Sequence, residues 1–198
     1  MPWPPPSPEI GGNAVGLVEK VSRALVENIT ARSQWDEPAQ LYWLELTAGK
    51  VTMHLFPIDQ SVFDTGHRPT DVLAGLAREV AAQQDALRRA VPPGLFGLAF
   101  FCEAFAVTVP ASADEWDDAA RAAAAGAVPQ HPDRVEQRMI YAVERGGRRF
   151  LVSQNRGEPV ETSVEHPDEP AGPRNFGPAT DALDAFLSAM LGVNLRRR

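Results

Sequence analysis

Leu95-Phe96-Gly97-Leu98-Ala99-Phe100-Phe101-Cys102-Glu103-Ala104-Phe105-Ala106-Val107-Thr108-Val109 is the stretch on which the fold turns. It is almost continuously apolar, rich in aromatic residues, and bounded by Pro92-Pro93-Gly94 and Pro110. A run of this kind fits a long central strand covered on both faces. It is interrupted by Glu103 and is too short to span a bilayer as a helix. Cys102 falls among the phenylalanines, where burial raises a thiol's pKa and leaves it inert. Glu103 stands between Phe101 and Phe105 on one strand face, so its carboxylate needs a cation, a hydrogen bond or water. Arg138, on the following strand, is one candidate partner.

Outward from this strand, Leu73, Leu76, Val80, Leu87 and Val91 recur at helical spacing from Thr70 onward. Before it, Leu41 to Thr47 and Val51 to Pro57 flank Ala48-Gly49-Lys50 and form a hairpin. There Tyr42, Leu44 and Leu46 make the cleaner core face, with Leu41, Trp43 and Glu45 on the other. Residues 58–69 read as a polar loop. A first helix begins at a cap on Asn13, has Leu17, Val18, Val21, Leu25 and Ile29 on one stripe, and ends near Ser33. After the central strand, Ser112 to Glu115 form a capping box for a helix over 113–125. Val135 to Glu144 and Arg148 to Gln154 make a second hairpin, and residues 155–179, with five prolines, an irregular crossing loop. Thr180 caps a last helix.

The resulting order, α-β-β-α-β-α-β-β-α, predicts a single α+β domain over residues 13–195, with a mostly antiparallel five-stranded sheet. If the 113–125 helix is an insertion, the order is analogous to profilin-like and roadblock-like folds, which serve many functions. Residues 1–12, with five prolines, are expected to be a disordered tail, and Arg196 to Arg198 a basic, solvated end.

Composition bounds the function. Lys and Arg number 19 against 26 Asp and Glu, a net charge of −7, which argues against broad electrostatic capture of nucleic acid or an anionic membrane. One cysteine excludes an internal disulfide and paired-cysteine metal sites, and no leader resembles a signal peptide, so a cytoplasmic location is expected. No phosphate-binding glycine loop and no Gly-x-Ser-x-Gly elbow is present. His54, His67, His131 and His166 lack metal-ligand spacing. Neither a metal nor a cofactor is expected. The acidic set Asp114, Glu115, Asp117 and Asp118 suits a helix N-terminus and needs no ligand.

Two segments carry a resemblance: Trp35-Asp36-Glu37-Pro38-Ala39-Gln40-Leu41-Tyr42 and His131-Pro132-Asp133-Arg134-Val135-Glu136-Gln137-Arg138-Met139. They resemble a family of small acidic actinobacterial proteins that share a Trp-Asp-x-Pro-Pro-x-Leu-aromatic opening and a His-Pro-Asp-Arg segment before a strand. Ala39 stands in place of the second proline. The resemblance spans about residues 35–145 and implies no activity and no catalytic residues. Read by themselves, Pro38 orients the strand start, Trp35 covers the sheet end, and His131-Pro132-Asp133 forms a turn.

The functional expectation is therefore a non-enzymatic binding or protein-interaction module. The alternative is a small hydrolase or transferase using Glu103 or the group His131, Asp133 and Arg134. Arg138 joins these as a candidate functional residue. Trp43, Met53 and Leu55 are expected opposite the core face of the first hairpin, as an apolar patch for a protein partner or a homodimer.

Overall fold

The computed structural model describes residues 14–64, 66–83, 91–107, 131–167, 176–192 and 195. The proline-rich tail, the 113–125 helix, Leu87 and the final arginines lie outside the described residues. Helix α1 spans Ala14–Thr30, strands β1 and β2 span Gln40–Thr47 and Lys50–Leu55, and a single 3-10 turn spans Gln60–Phe63. Helix α2 spans Pro69–Ala82. Strands β3 (Leu95–Val107), β4 (Arg134–Glu144), β5 (Arg149–Asn155) and β6 (Glu161–Glu165) follow, and helix α3 (Pro178–Leu191) closes the order. The fold is α+β: the sheet is open, with order β2-β1-β3-β4-β5-β6, and every neighbouring pair is antiparallel.

The sheet has six strands where five were expected. The additional one, β6, lies inside the stretch read as an irregular loop. Its five residues, Glu-Thr-Ser-Val-Glu, are polar at both ends and sit among prolines, so no alternating apolar pattern marks them. Pairing of β6 with β5 makes β5 an inner strand. The edges are β2 and β6. Two helix starts also shift. Pro69 and Pro178 occupy first-turn positions, which their fixed φ suits. Thr180 thus lies inside the first turn of α3, its hydroxyl donating to the Gly177 carbonyl at 2.8 Å.

Helix α1 covers one face of the sheet, packing Val21, Leu25 and Ile29 against Tyr42, Phe101 and Ile140. Helices α2 and α3 cover the other, where Leu73, Leu183 and Phe186 meet Leu41, Leu98 and Phe100. Both faces of β1 are therefore core, not one: Leu41 is as fully buried as Leu44. Leu76 and Val80 are only half-buried at the rim of α2, whereas Leu73 is buried completely.

β3 is buried without a break from Leu95 to Cys102. A bulge adjusts its start. Glu45 pairs with Leu95 and Leu44 with Gly97, so Phe96 is an extra residue and turns toward α1 while Leu95 turns toward α2 and α3. Gly97 is required by contact: a Cβ there would lie 2.5 Å from the Val143 carbonyl oxygen and 3.2 Å from Leu44 Cδ1. The first hairpin turns through Ala48 and Gly49, both at positive φ (51° and 74°), as a two-residue turn matching strand twist requires.

The register separates the three residues expected to form one apolar patch. Met53 pairs with Leu44 and Leu55 with Tyr42 on the α1 face, while Trp43 pairs with His54 on the opposite face. Trp43 stacks on His54 with ring centroids 4.4 Å apart, and Leu55 is 54% exposed at the sheet edge.

Gly97→Ala should lower stability by about 1–3 kcal/mol, because the methyl group meets backbone on a strand that cannot move. Gly75→Ala, mid-helix with nothing within 4 Å of the added atom, should raise it by about 0.5–1 kcal/mol. Denaturant titration of the two variants checks both signs.

Candidate functional site

β1 stops pairing with β3 at the Gln40–Phe101 pair, but β3 and β4 run on together to Val107 and Arg134. β5 stays paired with β4 as far as Gln137, opposite Ala104, so the extension has two strands only beyond that point, and burial ends along it: Cys102 is buried, Ala104 and Phe105 exposed. On the α1 face the extension presents Glu103 opposite Arg138, Phe105 opposite Glu136, and Val107 opposite Arg134. Beyond the end of α1, the loop through Trp35, Asp36, Glu37 and Pro38 lies over this face.

Two arginines fasten that loop. Arg32, just past α1, sits with its guanidinium 3.5 Å from the centre of the Phe101 ring. It donates to Glu37 (2.5 Å), to Gln40 (2.8 Å), to the Tyr42 hydroxyl (2.7 Å) and to Asn28. Arg138 is buried, donating to Gln154 Oε1 from Nε (2.9 Å) and Nη2 (2.7 Å) and to the Arg32 carbonyl from Nη1 (2.9 Å). Its guanidinium lies 4.7 Å from the Trp35 ring centre, and that of Arg156 lies 5.5 Å away. Cationic guanidinium groups are held over aromatic faces by the ring quadrupole, more strongly when both are shielded from water.

Glu103 does not form an ion pair with Arg138. Its Oε2 accepts a hydrogen bond from the amide of Asp36, a residue at a positive φ of 65°, at 2.6 Å. Oε1 is shut off from solvent and has no hydrogen-bond partner. Desolvation pushes the Glu103 carboxyl above the usual range, and the Asp36 and Glu37 amides and the Arg138 charge offset this only in part. Of the partners expected for this carboxylate, a cation, a hydrogen bond or water, the Asp36 amide supplies the hydrogen bond.

A groove of about 500 Å³ opens at this point, walled by Trp35, Pro38, Ala104 and Phe105 and rimmed by Asp36, Glu37, Asp64, Glu103 and Glu136. Phe105 is 39% exposed. A smaller hollow of about 370 Å³ adjoins it, between Phe105, Pro132, Arg134, Glu136 and Arg156. Arg134 lies over Phe105 at 5.2 Å, and Arg156 pairs with Glu136.

The other sequence candidates do not gather with Glu103. His131, Asp133 and Arg134 are exposed in the turn before β4, where His131 Nδ1 accepts from the Asp133 amide at 3.1 Å. Arg134 pairs with Val107, four residues along the strand from the Glu103–Arg138 pair, a separation of about 13 Å. Cys102 is on the opposite face, its thiol pushed up to about 12 by burial. His54 pairs with Glu45 at 2.9 Å on the first hairpin. Among the described residues, no three His, Cys, Asp or Glu side chains gather as a metal site, and no helix is long and apolar enough to cross a membrane.

Sequence reasoning missed Arg32, Asp64, Gln154 and Arg156, which come together only through the fold. Phe105 had a signal: it shares a strand face with Phe101 and Glu103, but lies beyond the point where its neighbours stop covering it.

Because the Glu103 carboxyl is raised, its ionisation opposes folding: the stability linked to its protonation is complete below the unfolded-state pKa and is lost as pH rises through the folded-state value. Glu103→Gln keeps an acceptor for the Asp36 amide and removes the charge. The stability of this variant relative to wild type should therefore increase between about pH 4 and about pH 7. Parallel denaturation curves at the two pH values measure the change, and a decrease would contradict the assignment.

No family model, curated protein or solved structure matches this chain.

Proposed function

We propose that this chain is a non-enzymatic interaction module that receives a partner protein in the groove at the end of β3 and β4. The observation that carries this reading is Phe105: a large aromatic side chain, exposed on a projecting two-stranded ribbon, beside a groove whose opposite wall is the arginine-fastened Trp35 loop. Aromatic anchors in a partly desolvated depression are what protein interfaces concentrate their energy on. The hydrolase or transferase reading needs a carboxylate and a base within hydrogen-bond reach; Glu103 stands apart from His131 along the ribbon, and within the group His131, Asp133 and Arg134 the His131 Nδ1 accepts from the Asp133 amide and not from its carboxyl group. The analogy to profilin-like and roadblock-like folds rests on three strands after α2, and four follow it here, so the analogy adds nothing to this reading.

Leu55, at the β2 edge, is the competing surface for a partner or a second copy. Affinity capture from the native host separates the two. A partner should be retained by wild type and by Leu55→Asp and lost with Phe105→Asp, each variant first shown to be folded. Loss with Leu55→Asp alone would move the interface to the β2 edge and overturn the reading.

A further inference from the structure

The groove has a chemistry as well as a shape. Its walls are aromatic and aliphatic, its rim is acidic, and no lysine, arginine or histidine is among its lining residues. Two rim carboxylates are neutralised from outside, Glu37 by Arg32 and Glu136 by Arg156. Asp36, Asp64 and Glu103 have no ion pair among the described residues, and Glu103 keeps an oxygen without a hydrogen bond. Carboxylates around an aromatic-walled groove favour a cation, and the rings favour one that is flat and weakly hydrated. A guanidinium satisfies both, with five donors for the carboxylates and a face for the rings. The chain already uses this pairing, with Arg32 over Phe101 and, from outside the groove lining, Arg138 and Arg156 over Trp35 and Arg134 over Phe105.

The edge of β3 sets the form of the occupant. Among the described residues, no strand pairs with β3 on its β1 side beyond Phe101, so the backbone from Cys102 to Val107 has β4 as its one strand neighbour. The groove is lined by Glu103, Ala104 and Phe105 of this segment together with residues 35–38. An open edge receives an extended segment, whose side chains then fall into adjoining pockets. The net charge of −7 favours approach of a basic partner.

Resting on the module reading, we propose that the groove binds an extended, arginine-bearing segment of a partner protein, with an arginine side chain seated between Trp35 and Phe105 among Asp36, Asp64 and Glu103.

The probe is a blocked nonapeptide of alternating valine and threonine with one central arginine, titrated into the full chain and followed by amide chemical shifts and calorimetry. A second peptide carries citrulline in its place, which keeps the shape and loses the charge. The arginine peptide should shift amides of residues 36–38 and 103–105, weaken as salt rises, and bind about ten-fold more tightly than the citrulline peptide. Asp64→Asn and Phe105→Ala should each cost about ten-fold, with the circular dichroism of the chain unchanged. Equal binding of the two peptides, or no binding of the arginine peptide at about 1 mM, would overturn the proposal. The module reading would survive that result if Phe105-dependent capture of a partner persisted, and would fail with it if capture did not. Concentration-dependent self-association, lost on removal of Arg196 to Arg198 and competing with the peptide, would make a second copy the occupant and also overturn the proposal.

Discussion

Burial of β3 on both faces is the constraint from which the rest of the structure follows. From Leu95 to Cys102 every side chain is taken out of water, alternate residues meeting α1 on one side and α2 with α3 on the other. Phe100 and Phe101, adjacent in sequence, anchor opposite layers. Each fully buried side chain of this size contributes about 1.5–3 kcal/mol relative to exposure, so neither helical layer is dispensable. The bulge at Phe96 reverses the alternation at the start of the strand, so that Phe96 joins the α1 layer and Leu95 the layer of α2 and α3.

The same constraint creates the groove by ending. Past Cys102, β3 and β4 continue while β1 does not, and α1 has already stopped at Thr30. Chain that leaves α1 must return to begin β1, and it does so across the newly exposed face. Arg32 and Arg138 hold this return in place by stacking on Phe101 and Trp35 and by hydrogen-bonding backbone and side-chain acceptors around them. Planar guanidinium groups suit this work, because a lysine offers neither the stacking face nor the forked donors. Glu103 is drawn into the arrangement through the Asp36 amide, at the expense of desolvating its carboxylate. On the far side of the sheet, Arg149 performs a related task, tying β5 to Asp181 and Asp184 on α3 and to Glu165 on β6.

What was legible in the sequence was whatever depends on local pattern. The continuous apolar run announced a doubly covered strand, the three- and four-residue spacings placed α1, α2 and α3, and the glycine turns placed both hairpins. β6 escaped because a polar edge strand needs only a neighbour with free backbone groups, which leaves no periodic mark. The patch of Trp43, Met53 and Leu55 failed for a geometric reason: strand pairing puts residues 43 and 54 on one face and 53 and 55 on the other. Sequence identified Glu103 as a residue in tension with its surroundings but not what relieves it, since the Asp36 amide is 67 positions away. The groove itself was invisible, because it exists where one strand outlasts another, a difference of length that no motif records.

Amide hydrogen exchange along β3 tests this account most directly, because the strand passes from the doubly covered core to the open ribbon without a break in its pairing to β4. The amides of Leu98 to Phe101 should exchange only through global unfolding, while those of Ala104 to Val107 should exchange through local opening, about a thousand-fold or more faster. Uniform protection along the strand, or a core segment that exchanges as fast as its end, would contradict the claim that burial of β3 stops at Cys102 and leaves an accessible edge beyond it.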